Sequence, residues 1–185
     1  MADSEHITYH FATMFPSLIP DSHRDQIVAL LDEIHKLPFF TLSFGGHKAV
    51  VSPRGALTRM REMLDGNEIS ERHRKLLQAK WDMANKVDLN AKLTPEAIRD
   101  AEVTHKKFFD RICGYLPGNG DGPWMFGLQQ PSAFDAHLVP VLVRLQDVGR
   151  GALLPGSLAE YAERAKKTRE WQSVMNGLRT TMYMG

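Results

Sequence analysis

The sequence predicts an all-α protein, and three observations carry that reading. Apolar residues recur at three- and four-residue spacing along most of the chain, strand-like alternation is nearly absent, and Ser/Thr–Pro or Ser/Thr-x-x-acid start signals precede several of the periodic segments. With 185 residues, 43% of them hydrophobic and 24% charged, the chain can bury a sizeable core and has an ordinary globular balance. No internal repeat, low-complexity run or linker divides it, so residues 1–185 are expected to form a single helical domain.

Taken in order, Ile7, Phe11, Met14 and Leu18 form an apolar stripe on a first helix, with His6, Tyr9, His10 and Thr13 on its other side. From Ser22 to Leu37, Ile27, Leu30, Leu31 and Ile34 recur at helical spacing, and Pro38 stops the run. Phe39 to Phe44, bounded by Pro38 and Gly45-Gly46, is the one non-helical candidate, an extended strand or a buried loop. Ser52-Pro53 reads as an N-cap and first-turn proline for a helix that ends at Asp65-Gly66. Ser70 caps a mixed-charge helix on which Leu77, Trp81 and Ala84 share a face, and Glu71 to Lys75 is expected to be solvated.

Thr94-Pro95-Glu96 repeats the start signal for a long helix whose stripe is read as Val103, Phe108, Phe109, Ile112, Cys113 and Leu116. Pro117 to Pro123 is a loop. Ser132-Ala133-Phe134-Asp135 then opens a helix apolar on nearly every side, the mark of a central buried element. Leu158–Arg164 and Thr168–Leu178 close the chain as one or two helices.

Composition removes whole classes of function. Lys and Arg number 23 against 22 Asp and Glu, and the two signs are interleaved, which leaves no excess charge to hold a nucleic acid. The most apolar stretch, Leu138 to Leu145, is broken by Pro140 and Arg144 and is too short to span a bilayer, so no membrane partner is expected. A single cysteine, Cys113, and an acidic start without signal-peptide character point to a cytoplasmic protein.

Gly127 followed by Pro131-Ser132-Ala133-Phe134-Asp135 resembles the glycine plus Ser/Thr-x-x-Asp motif in the C-terminal helical domain of glutathione S-transferases. The apolar helix Ala136 to Leu145 is similar to that domain's central helix. Leu158 to Trp171, with Tyr161 and Glu170-Trp171, looks like its closing helix and tryptophan, and Pro123 to Gly127 resembles the usual approach to the motif. The likeness covers Trp124 to Met182 with specific residues and Ile7 to Leu116 by helix order, and it is nearest to the fungal, secondary-metabolism type of these proteins.

The resemblance implies a helical bundle like that domain, glutathione as cosubstrate or catalyst, and a homodimer. It also implies a transferase or cis/trans isomerase acting on a small hydrophobic electrophile or conjugated olefin. Isomerisation would need only reversible thiolate addition, bond rotation and elimination, with the thiolate supplied by glutathione. The family's thioredoxin-like βαβ-ββα domain is expected to be absent, so its glutathione-holding positions cannot be carried over. The competing expectation is a non-catalytic helical interaction module.

Ser132 and Asp135 are expected to form a structural capping box, the hydroxyl accepting from the Asp135 amide and the carboxylate reaching back to the Ser132 amide. On the capping scale, Asp135→Ala should cost roughly 1–2 kcal/mol. For ligand contact the candidates are Tyr9, His10 and Thr13 on the first helix, which lines the substrate cleft in the family, with surface packing as the alternative. Phe44 and Lys48 flank Gly45-Gly46, where a backbone can approach a ligand and the ammonium could meet a glutathione carboxylate; the alternative is a simple turn. His6 and His10 at i, i+4 have metal-like spacing but lack the glutamate and a third ligand, so a solvated or cleft-lining face is expected, with no metal. Cys113 is expected to be a buried, inert thiol, and Trp81, Trp124 and Trp171 to be core or interface anchors.

Overall fold

The helix that the sequence marks as apolar on nearly every side, α8 (Ala133–Asp147), is the axis about which the chain is built. Phe134, Leu138, Leu142 and Leu145 on it are fully enclosed. A computed structural model describes residues 4–45, 53–66, 68–85, 89–118 and 122–180, and every regular element among them is helical. No described helix is long and apolar enough to cross a membrane.

Preceding α8 are α1 (Ser4–Met14), α2 (Arg24–Lys36), α3 (Phe39–Phe44), α4 (Pro53–Asp65), α5 (Glu71–Asn85), α6 (Leu89–Lys92) and α7 (Pro95–Ile112); α9 (Gly156–Lys166) and α10 (Arg169–Met175) follow it. α2 lies along α8 with Ile27, Leu30, Leu31 and Ile34 turned inward, as the spacing requires. α9 packs on α8 through Leu158, Tyr161, Ala162 and Ala165, and α7 closes the core with Phe108, Phe109 and Ile112. α4 and α5 pack against each other, and Arg61 sits over the half-buried Trp81 ring at 5.9 Å.

The proline signals hold locally. Thr94 Oγ1 accepts from the Ala97 amide at 3.2 Å ahead of Pro95, and Thr168 accepts from the Trp171 amide at 3.3 Å to start α10. Ser70 accepts from the His73 amide at 3.2 Å in front of α5. Ser52, expected to cap α4, lies outside the described residues, as do Gly46, His47 and Lys48.

Phe39 to Phe44 is neither a strand nor a loop. It is the short helix α3, with Thr41, Leu42 and Ser43 buried against α7 and α8. A lone strand would leave its ladder groups unpaired in this interior, whereas a helical turn satisfies its own amides. Its last carbonyls are met by Arg150, which donates to Leu42 O at 3.0 Å and Gly45 O at 2.7 Å while pairing with Glu102 of α7.

The stripe on α7 also needs correction. Val103 is 52% exposed, and the inward positions are Ala101, His105, Phe108, Phe109 and Ile112. Cys113 is not fully buried: it begins a tighter turn at the end of α7, and its Sγ lies 3.5 Å from Ser157 Oγ.

Candidate functional site

Among the described residues, a buried polar cluster lies where the chain enters α8. Ser132 Oγ accepts from the Asp135 amide, and Asp135 Oδ2 accepts from the Ser132 amide at 2.7 Å and the Ser132 hydroxyl at 2.6 Å, giving a reciprocal capping box. Its other oxygen, Oδ1, accepts from the Met125 amide at 3.0 Å and from the Tyr161 hydroxyl on α9. Ser132 and Asp135 are 0% and 1% exposed, so no bulk water can substitute for these partners. The carboxylate thus joins the approach turn, α8 and α9.

Burial first, and then the Asp135 charge, push the Tyr161 phenol well above its ordinary range. Tyr161 is therefore a hydrogen-bond donor in this site and no source of phenolate. Ahead of the box, the turn Met125–Gly127 is held by the Gly122 amide on Gly127 O at 3.0 Å and the Trp124 amide on Leu128 O at 3.2 Å. Both Phe126 (φ 62°) and Gly127 (φ 69°) are left-handed there. Glycine takes that conformation freely. Phe126 is held in it by its ring, which stacks on His23 at 5.1 Å and meets Tyr115 at 5.1 Å and Phe134 at 6.4 Å.

Beside the box an apolar cleft of about 360 Å³ opens between α8 and α10. Trp124 and Trp171 wall it, with Pro131, Ala136, Val139 and Pro140 on the α8 side and Val174 and Met175 on the α10 side. Its polar lining is largely committed. Asp135 is engaged as above, the Thr168 hydroxyl donates to Ala165 O at 2.8 Å, and Thr180 gives both its amide (2.8 Å) and its hydroxyl (2.5 Å) to Asp147. Glu170 stands exposed at the rim.

The first-helix candidates are not part of this cleft. Tyr9 is half-buried and packs on the core, His10 is exposed, and the Thr13 hydroxyl donates to His10 O at 2.7 Å on the helix surface. His6 is exposed as well. What α1 does bring inward is Thr8, whose Oγ1 is 2.7 Å from His137 Nε2 on α8; the His137 ring in turn meets His35 of α2 edge-on at 4.7 Å. Phe44 meets the Phe40 ring at a tilt, 4.9 Å between centroids, and lies under the Arg144 guanidinium at 5.5 Å. It belongs to the packing of α3, and Lys48 is outside the described residues. Among the described residues no group of three or more His, Cys, Asp or Glu is placed to hold a metal ion.

Sequence reasoning missed His105 altogether. It is fully buried on α7, with one ring nitrogen, Nδ1, donating to Ala101 O at 2.8 Å and the other, Nε2, without a partner among the described residues. Burial, with a smaller contribution from Arg150 and against the Ala101 bond, lowers its pKa from the ordinary 6.5. The signal was present as a polar residue at i−3 and i−4 from Phe108 and Phe109 in an otherwise apolar face. Arg150 and the cleft carry no such local signal, because their partners come from distant segments.

Compared with protein-family models, with curated proteins and with solved structures, the chain finds no match.

Proposed function

We propose that the chain is a glutathione S-transferase-like helical domain that works with glutathione on a small hydrophobic electrophile or conjugated olefin, as a transferase or cis/trans isomerase. The observation that carries the reading is the buried Ser132–Asp135 box, preceded by left-handed Gly127 and completed by Tyr161. These residues belong to the set on which the resemblance rests, together with the apolar helix Ala136 to Leu145, Glu170-Trp171 and the Pro123–Gly127 approach. The chemistry supports an external thiol. Tyr161 holds its proton, and the hydrogen-bond partner that Cys113 has among the described residues is the Ser157 hydroxyl, so the thiol is taken to come from glutathione.

Titration calorimetry at millimolar glutathione tests this reading, together with an ultraviolet assay of a cis-configured conjugated enone. Saturable heat and a glutathione-dependent cis-to-trans conversion are expected. No heat and no conversion would remove it.

A second reading, the non-catalytic interaction module, is favoured by one feature. On α1 and just after it, Ile7, Phe11, Met14 and Phe15 are 45–55% exposed, an apolar strip. A homodimer formed through this strip would fit either reading. Sedimentation of the wild type and of Phe11→Glu shows whether the strip associates: a dimer lost in the variant supports association.

A further inference from the structure

We propose that residues 176–180, the segment after α10, are a latch that closes one end of the α8–α10 cleft and opens while the rest of the fold stays intact. The inference goes beyond the glutathione reading and stands with or without it.

The hinge comes first. α10 ends at Met175, and the next two residues, Asn176 (φ 44°) and Gly177 (φ 76°), are both left-handed. The Asn176 amide on Gln172 O at 2.9 Å and the Leu178 amide on Met175 O at 2.7 Å close the helix end, and the chain turns away from it. Residues 176–179 are all exposed, Leu178 at 74%, so the segment buries no large apolar side chain.

The fastening is at Thr180. Its amide and hydroxyl both donate to Asp147 Oδ2, at 2.8 and 2.5 Å, and its carbonyl accepts from the Arg144 guanidinium. Arg144 and Asp147 lie at i and i+3 on α8, and Arg144 is also seated over the Phe44 ring of α3 at 5.5 Å. Both posts therefore belong to the packed body and stay in place when the segment leaves.

The energy balance decides that it can leave. Fixing five residues costs backbone entropy of the same order as these polar bonds contribute, and no large apolar burial tips the sum. A segment held in this way is closed by a modest factor, whereas α8 opens only when the core does. Thr180 lines the cleft together with Trp171 and Val174, so its departure removes part of the wall.

Hydrogen exchange on the whole chain, read by nuclear magnetic resonance, tests the latch. The Thr180 amide should be protected about 10- to 1,000-fold, and low urea should leave that protection unchanged. The amides of Leu138 and Leu142 should be protected more than about 10,000-fold and lose protection as urea is added. Thr180→Val keeps the amide bond and loses the hydroxyl, and should lower protection at that amide about tenfold. Asp147→Ala should bring it within about threefold of the unprotected rate while Leu138 and Leu142 stay protected. Thr180 protection equal to that of Leu142, with the same urea dependence, would show that the segment opens only on global unfolding and would overturn the latch. A Thr180 amide already unprotected in the wild type would overturn it too. The cleft is read separately in a Trp81→Phe background, which leaves Trp124 and Trp171 as the emitters. There Asp147→Ala should raise acrylamide quenching about twofold, as part of the wall withdraws. Faster exchange with unchanged quenching would show a loose segment that closes nothing.

Discussion

Replacing Asp135 with alanine removes one carboxylate and strands four donors: the Met125 and Ser132 amides and the Ser132 and Tyr161 hydroxyls. The site is 1% exposed, so water does not replace the lost acceptor. A buried donor without a partner costs about 1–3 kcal/mol. The Ser132 hydroxyl can rotate toward another acceptor, and losing a buried charge relieves part of the penalty, so the sum is about 4 kcal/mol. That is well above the ~1–2 kcal/mol of an ordinary exposed cap, because the carboxylate serves two further segments besides its own helix end. Asp135→Asn keeps the shape and one acceptor oxygen and should lose about 2–3 kcal/mol, while Tyr161→Phe removes a single donor and should lose about 1–2 kcal/mol. Urea unfolding followed by circular dichroism at constant slope gives all three values. A loss below about 2 kcal/mol for Asp135→Ala, or equal losses for all three variants, would show that the four donors do not depend on this carboxylate.

Three further outcomes follow from other parts of the fold. His105 has a folded-state pKa below its ordinary 6.5, so below about pH 6.5 the unfolded chain binds a proton that the folded chain does not, and stability falls with pH. The urea midpoint should drop from about pH 7 to pH 5 more steeply in wild type than in His105→Gln; parallel profiles would remove His105 as the cause. Arg150→Met loses the bonds to Leu42 O, Gly45 O and Glu102. It should cost about 2–3 kcal/mol and speed amide exchange in residues 39–45 ahead of α9. Gly122→Ala would set a Cβ 2.1 Å from Leu128 O, displacing the turn before α8 at a cost of about 3 kcal/mol, readable as a lowered melting temperature.

Local chemistry made part of this protein legible. The Ser132–Asp135 box spans four residues and can be written down from spacing alone, as can the proline starts of α4 and α7 and the inward face of α2. The other half of the hub was not legible, because Tyr161 OH and the Met125 amide reach Asp135 only once α9 and the approach turn have docked. Short apolar runs failed for a different reason. Phe39 to Phe44 fits a strand or a helical turn equally well in composition, and only packing against α7 and α8 decides between them. Val103 was put in the core because it is apolar, although the register set by Phe108 and Ile112 points to His105 instead. The cleft depends on two tryptophans far apart in sequence, and none of Tyr9, His10, Thr13 or Phe44 lines it.

The Asp135 hub also bears on the order in which the chain can mature. During synthesis α8 emerges before Tyr161, so its carboxylate then has only the Ser132 and Met125 groups, and its all-round apolar surface has no α9 to cover it. Between the appearance of Asp147 and that of Ala165, the face of α8 that α9 will cover has no partner. Slowed translation there would lower the yield of folded protein without altering a single residue of it.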